Sequence, residues 1–156
     1  MTTLAGRIDR LLASQRVGVL ATQQCNPPQP GQPYTSLMAF AHTPDLRFLV
    51  IATLKETQKH ANLLQNDRLS LLVDNRGNSE SDYQKAVAIS ATGQAEAIPA
   101  GDDQRMRSLF LEKHPQLQAF IAMPQCALLR IRVARYSVVS QFQAAETMDL
   151  GAMDLA

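Results

Sequence analysis

Over the first stretch of chain the apolar positions recur at helical spacing. Leu4, Ile8, Leu11 and Leu12 fall on one side, Arg7 and Arg10 on the other, which predicts an amphipathic helix. Thr2 or Thr3 is placed to cap its free amides. The period then changes: "RVGVLATQ" is a short β-branched run and predicts a buried strand. Residues 23–33 hold four prolines and a glycine, the composition of a loop. "YTSLMAFAH" and "DLRFLVIAT" follow as strands, with "TPD" as the turn of a hairpin between them.

A polar helix of about two turns comes next, starting in "LKETQKHANLLQ", and then a strand, "RLSLLVD". "NRGNSESDYQ" has no periodicity and is expected to be a polar loop. "KAVAISATGQAEAIP" predicts a long strand in which Gly93 marks a bulge or sharp bend, as barrel corners require. A helix is expected over residues 102–112, with Met106, Leu109 and Phe110 on one side. "HPQLQAF" suggests a second short helix that tolerates Pro115 in its first turn. "CALLRIRVARYSVVSQFQ" is expected to close the fold as two strands, over residues 128–133 and 136–142. Arg130 and Arg132 then alternate onto a solvated outer face, where an ion pair between subunits is a second option. The last dozen residues look frayed. One domain over residues 1–142 with a tail over 143–156 is therefore expected: a mainly β, α+β chain of six or seven strands with few, short, peripheral helices. Hairpin connections favour a closed antiparallel barrel over a parallel βαβ sheet.

Composition narrows the function more than the fold. Hydrophobic residues make up 46% and charged residues 19% of the 156, and the formal net charge is +1. That balance suggests no surface for coating nucleic acid. No apolar run nears the roughly 20 residues that span a bilayer, and Arg7, Asp9 and Arg10 interrupt what would be a signal peptide's apolar segment. Cys25 and Cys126 stand far apart in no paired motif, so reduced thiols in a cytoplasmic protein are expected over a disulfide.

The candidate chemistry gathers where the third strand turns into the polar helix. Thr53, Thr57 and Lys59 combine hydroxyl donors, a mobile positive charge and the unpaired amides of a helix N-terminus, which together suit a phosphate. The plainer alternative is a capping box, with Thr53 accepting an amide and Glu56 reaching back. Asn62 lies three positions after Lys59 and shares its helix face, either at a ligand's rim or simply facing water. His42, His60 and His114 share no ligand spacing, so no metal is expected. There is no G-x-S-x-G elbow, no G-x-G-x-x-G after a strand and no P-loop, which argues against a hydrolase and against the common nucleotide folds.

"RVGVLAT", "GQPYTSLMAF", "FLVIATLKETQKHANLLQNDRLSLLVD" and "ATGQAEAI", in that order, resemble the pyridoxamine-phosphate-oxidase-like, FMN-binding split barrel. "LEKHPQLQAF" and "CALLRIRVARYSVVSQF" are similar to its haem-utilisation branch. The resemblance covers residues 17–142. It implies an FMN phosphate held by Thr57, Gln58 and Lys59, with Ala52 and Thr53 at the strand end and Ser36, Leu37 and Met38 against the flavin ring. It also implies a homodimer with two cofactor sites at the subunit interface. Two positions that are often basic in the family are Ser36 and Gln58 here, which leaves Lys59 as the lone base of the set. The family's C-terminal substrate-binding elements are missing, so pyridoxamine phosphate oxidase activity itself is not expected. Haem degradation is not expected either. A flavin-dependent oxidoreductase and a non-catalytic flavin or haem carrier both need the same pocket, and both remain open.

Overall fold

The computed structural model describes residues 2–141 and 144–151. The helix α1, Leu4–Ser14, is capped by Thr3, whose Oγ1 accepts from the Gly6 amide at 3.0 Å, and it buries Ile8, Leu11 and Leu12. Strands β1 (Val17–Gln23), β2 (Pro33–His42) and β3 (Phe48–Leu54) follow, then α2 (Gln58–Gln65) and β4 (Arg68–Asp74). The one-turn α3 (Asp82–Lys85) sits in what reads as a featureless polar loop; Asp82 organises it by accepting from the amides of Gly77 and Ser79. Then come β5 (Val87–Ala97), α4 (Asp103–Lys113), a 3-10 turn with Pro115 at its start, α5 (Gln118–Ile121), β6 (Cys126–Ser140) and β7 (Ala144–Asp149).

The strands run β3-β2-β1-β4-β5-β6-β7, every pair antiparallel, and a further β3–β6 pairing closes the first six into a barrel. Alternation decides which side chains enter it. In β1, Gly18, Leu20 and Thr22 are buried while Val17 and Gln23 are exposed. Leu20, Phe40, Leu49, Ile51, Leu71, Ile89, Ile131 and Tyr136 fill the interior with almost no exposure. The outer faces of β2 and β3 are covered instead by α4 and α5, where Met106, Phe110 and Ile121 pack on Ala41, Val50 and Ala52. Tyr136 reaches through the barrel to donate its hydroxyl to the Leu46 carbonyl at 2.8 Å. Leu46 itself holds a positive φ of 63° in the β2–β3 turn. Tyr136→Phe is expected to lower stability by about 1–2 kcal/mol in urea denaturation, because it strands a buried carbonyl.

Two expectations for the end of the chain are corrected. The closing segment is one strand of 15 residues, not two. The break anticipated at residues 134–135 is a bulge: Thr92 pairs with Arg135 and Gly93 with Val133, so Ala134 has no partner across the ladder. At this point one edge of β6 passes from β3 to β7. Val133 donates its amide to the Arg47 carbonyl, and the Ala134 carbonyl accepts from the Leu150 amide. The supposed frayed tail contains β7, tied by Arg7 to Glu146 at 2.6 Å and by Arg135 to Asp149 at 2.5 Å. Phe142, expected to end the last strand, lies outside the described residues.

Arg130 is corrected too. Its side chain is only 14% exposed, lies over the Phe48 ring and pairs with Glu96 at 2.6 Å and Asp102 at 3.2 Å. It holds the chain before α4 to the barrel wall instead of facing solvent.

Candidate functional site

The apolar run of β3 ends at Thr53, which is 2% exposed, and the chain turns through Leu54, Lys55 and Glu56 before α2 starts. Thr57 is the cap. Its Oγ1 donates to the Leu54 carbonyl at 2.7 Å and accepts from the His60 amide at 3.4 Å, a long contact. Thr53 Oγ1 stands 3.1 Å from Thr57 Oγ1, so the two hydroxyls form a linked pair at the strand end. The capping-box alternative is thereby overturned: Thr53 ends a strand, and Glu56 is an exposed turn residue. The amides of Gln58 and Lys59 precede the first intrahelical bond, that of Ala61 to Thr57, and belong to the positive end of the helix dipole. Lys59 is half-buried and has no carboxylate partner among the described residues.

Behind this turn runs a polar chain that crosses into the barrel. Gln58 Nε2 donates to Asn62 Oδ1 at 2.8 Å, and Asn62 Nδ2 donates to Thr22 Oγ1 at 3.0 Å. Asn62 is 2% and Thr22 5% exposed, so Asn62 does not simply face water: its side chain anchors α2 to β1. Thr22 escaped the sequence reading. Its signal was there, since it occupies the inward phase of "RVGVLATQ" with Gly18 and Leu20, where a hydroxyl demands a buried partner.

The barrel opens beside this helix. β2 pairs with β1 over seven registers, from Val17↔Ala39 to Gln23↔Pro33, but with β3 over only three, Phe40↔Ile51, Ala41↔Val50 and His42↔Leu49. Past Phe40 and Ile51 the two strands part, leaving residues 36–38 on one side of the gap and Ala52 and Thr53 on the other, with α2 following directly. Backbone groups of residues 36–38 on the β3 side thus have no ladder partner. The Ser36 Oγ is buried with no hydrogen-bond partner, as is Nδ1 of His60 on α2. Met38 is in the core, Leu37 is 69% exposed on the outer face, and Ala52 lies under α4 and α5. The expected set is therefore brought to one end of the barrel but splits between its two faces: Ser36, Met38 and Thr53 inside, Leu37 and Ala52 outside. A polar recess of 310 Å³ adjoins Gln58 and is walled by Gln24, Asn26, Pro27, Pro28 and Gln29 of the long loop.

Burial pushes the Cys126 thiol up, away from thiolate, and both cysteines are free. Among the described residues no three His, Cys, Asp or Glu side chains come together as a ligand set, and no helix is long and apolar enough to cross a membrane.

Comparison with known proteins shows the family and the fold. The family described as pyridoxamine 5'-phosphate oxidase matches over residues 4–140. No curated protein matches the sequence. Among solved structures, a haem-binding protein from Mycobacterium smegmatis superposes with a TM-score of 0.81 at 17% identity, over 96% of this chain and 59% of its own. The chain thus spans little more than half of that relative. An FAD-binding protein from Mesorhizobium loti gives 0.61 at 22% identity, over 83% and 88% of the two chains. General Stress Protein 26 from Bacillus anthracis gives 0.69 at 18% identity, over 94% and 98%. At these identities the likeness is one of fold.

Proposed function

The chain belongs to the pyridoxamine 5'-phosphate oxidase family, and on that footing we propose that it binds FMN at the gap between β2 and β3 and acts as a flavin-dependent oxidoreductase. The observation that carries the reading is the parting of these two strands directly before a threonine-capped helix that bears an unpaired lysine. The first-turn amides of α2, Thr57 and Lys59 receive the phosphate. The free backbone edge of residues 36–38 receives the polar rim of the ring, and the Ser36 hydroxyl gains the partner it lacks. Gln58 and Asn62, held to each other and to Thr22, keep the helix end in place. The bound flavin would supply the electron transfer, with the protein setting its position and its access to water.

The residues fit an anion modestly. Ser36 and Gln58 add no charge, so Lys59 carries the ionic part alone. Lys59→Ala is expected to weaken FMN binding by about 1.5–3 kcal/mol, about 10- to 150-fold in Kd, as for a hydrogen bond to a charged group. Titration of wild type and variant by flavin fluorescence quenching measures this, and equal affinities would remove Lys59 from the site. Bleaching of the bound flavin by NADH or NADPH, with reoxidation in air, separates an enzyme from a carrier.

A homodimer is part of the same proposal. Val19 pairs with both Leu37 and Leu72, and Val17 adjoins this row, so an exposed apolar strip runs across β2, β1 and β4 beside the gap. A second reading, a haem carrier, draws on the unpartnered Nδ1 of His60 and on the fold likeness to the haem-binding protein. It expects a Soret band that survives gel filtration and is lost in His60→Ala.

A further inference from the structure

A cavity of 320 Å³ lies at the end of the barrel away from the β2–β3 gap, between α1 and the ends of β4, β5 and β6. None of residues 36–38 or 52–62 borders it. Its floor is apolar: Leu11 of α1, Val87 and Ile89 of β5, and Val138 of β6, which pairs with Ile89 across the ladder. Its rim is cationic. Arg7, Arg10, Leu11 and Ser14 stand at i, i+3, i+4 and i+7, so one face of α1 brings an apolar side chain and two guanidinium groups to the same opening.

The polar groups around the opening differ in what they have left to give. Arg7 is held by Glu146 at 2.6 Å, and Ser14 donates its hydroxyl to the Leu11 carbonyl at 2.8 Å. Asn75 accepts from the Val87 amide at 2.8 Å. Arg10 has neither an ion pair nor a hydrogen bond among the described residues. The acids nearby are mostly committed elsewhere. Asp9 is taken by His42 at 2.9 Å on the opposite flank of α1, and Asp74 is paired with Arg76 at 3.1 Å. Glu146 thus stands alone against two arginines at the rim, which leaves one positive charge uncompensated among the described residues.

We propose that this cavity binds a small amphiphilic monocarboxylate, its apolar body on Leu11, Val87, Ile89 and Val138 and its head on Arg10. The volume is at the lower end of small-ligand pockets, and an apolar floor with polar groups on one side is their usual design. Burial of the chain supplies most of the affinity, about fourfold in Kd for each methylene taken out of water. The guanidinium of Arg10 offers parallel N–H donors that match the two oxygens of a carboxylate. A phosphate ester is disfavoured, because Glu146 stands beside the second arginine and would oppose a second negative charge. The ligand needs nothing from the residues around α2, so the chain can hold it and a cofactor at once.

Octanoate is the probe, titrated into the full chain at pH 7 and low salt by isothermal calorimetry. Saturable one-to-one binding is expected, the same with and without saturating FMN. Hexanoate should bind about tenfold more weakly, since it buries two fewer methylenes. Octanamide keeps the chain but not the charge and should bind about fivefold more weakly or worse. Arg10→Gln, at an exposed position, should weaken octanoate about fivefold and leave octanamide unchanged, which a merely structural role for Arg10 would not produce. Glu146→Gln, which frees Arg7, should tighten octanoate about twofold or more. Methyl NMR shifts on titration should centre on Leu11, Val87, Ile89 and Val138. No saturation by about 1 mM octanoate, or shifts centred elsewhere, would overturn the proposal. Equal binding of octanoate and octanamide, or an Arg10→Gln protein that binds octanoate as the wild type does, would overturn the assignment of the head to Arg10.

Discussion

Gly93→Ala is expected to lower the stability of the protein by about 3 kcal/mol or more, seen as a large drop in the urea midpoint or as failure to accumulate folded protein. A Cβ at this position would lie 2.2 Å from the Arg132 carbonyl oxygen, 3.0 Å from its carbon and 3.1 Å from Val133 Cα. All three are backbone atoms of the neighbouring strand, so no rotamer change relieves the contact. The ladder itself would have to move, at the bulge where β6 exchanges β3 for β7. Gly18→Ala meets the Leu72 carbonyl at 2.8 Å, also a backbone atom but less deeply overlapped, so it serves as the milder comparison. A Gly93→Ala protein with a wild-type midpoint would show that β5 and β6 stand farther apart than a 2.2 Å approach to the Arg132 carbonyl allows.

Phe110→Ala is expected to cost about 3–5 kcal/mol, the range for emptying a buried aromatic site. Phe110 has no exposure and sits among Ala41, Val50 and Ala52 on the outer faces of β2 and β3. Its ring is 4.9 Å from that of His114, whose Nε2 bonds the Phe40 carbonyl at 2.7 Å. Three small or short partners cannot collapse into the space, so most of the cavity would remain. Ala52 is directly followed by Thr53, and the loosening should reach the strand end that carries the proposed cofactor site. Denaturation by urea measures the first effect and FMN titration the second. A loss under about 1 kcal/mol would make α4 a weakly attached cover instead of part of the core.

The sequence made the strands legible because their alternation is set by a single local rule, and Gly93 stood out because a bulge needs a residue without a side chain. The helix α2 and its threonine cap were readable for the same reason: Thr57, Gln58 and Lys59 are consecutive. What stayed hidden depends on partners far apart in sequence. Arg130 reads as a solvated strand residue until Glu96 and Asp102 arrive from other elements. Asn62 reads as helix surface until Thr22, forty positions earlier, proves to be its acceptor. The strand β7 was missed because six residues with two acids and little branching carry almost no strand signal. They are fixed by the ladder on β6 and by Arg7 and Arg135. The break expected in β6 between residues 133 and 136 is a bulge, which absorbs one residue without ending the strand.

The closure of the barrel by β3 on β6 also sets an order of events during synthesis. Hairpins β1–β2, β2–β3 and β4–β5 join neighbours and can form as they emerge. Ile51, however, must wait for Leu129 before its outer edge is satisfied. A ribosome-bound chain halted shortly after α4 would therefore present an open, apolar-edged sheet to chaperones, and only release of β6 would let it become a finished protein.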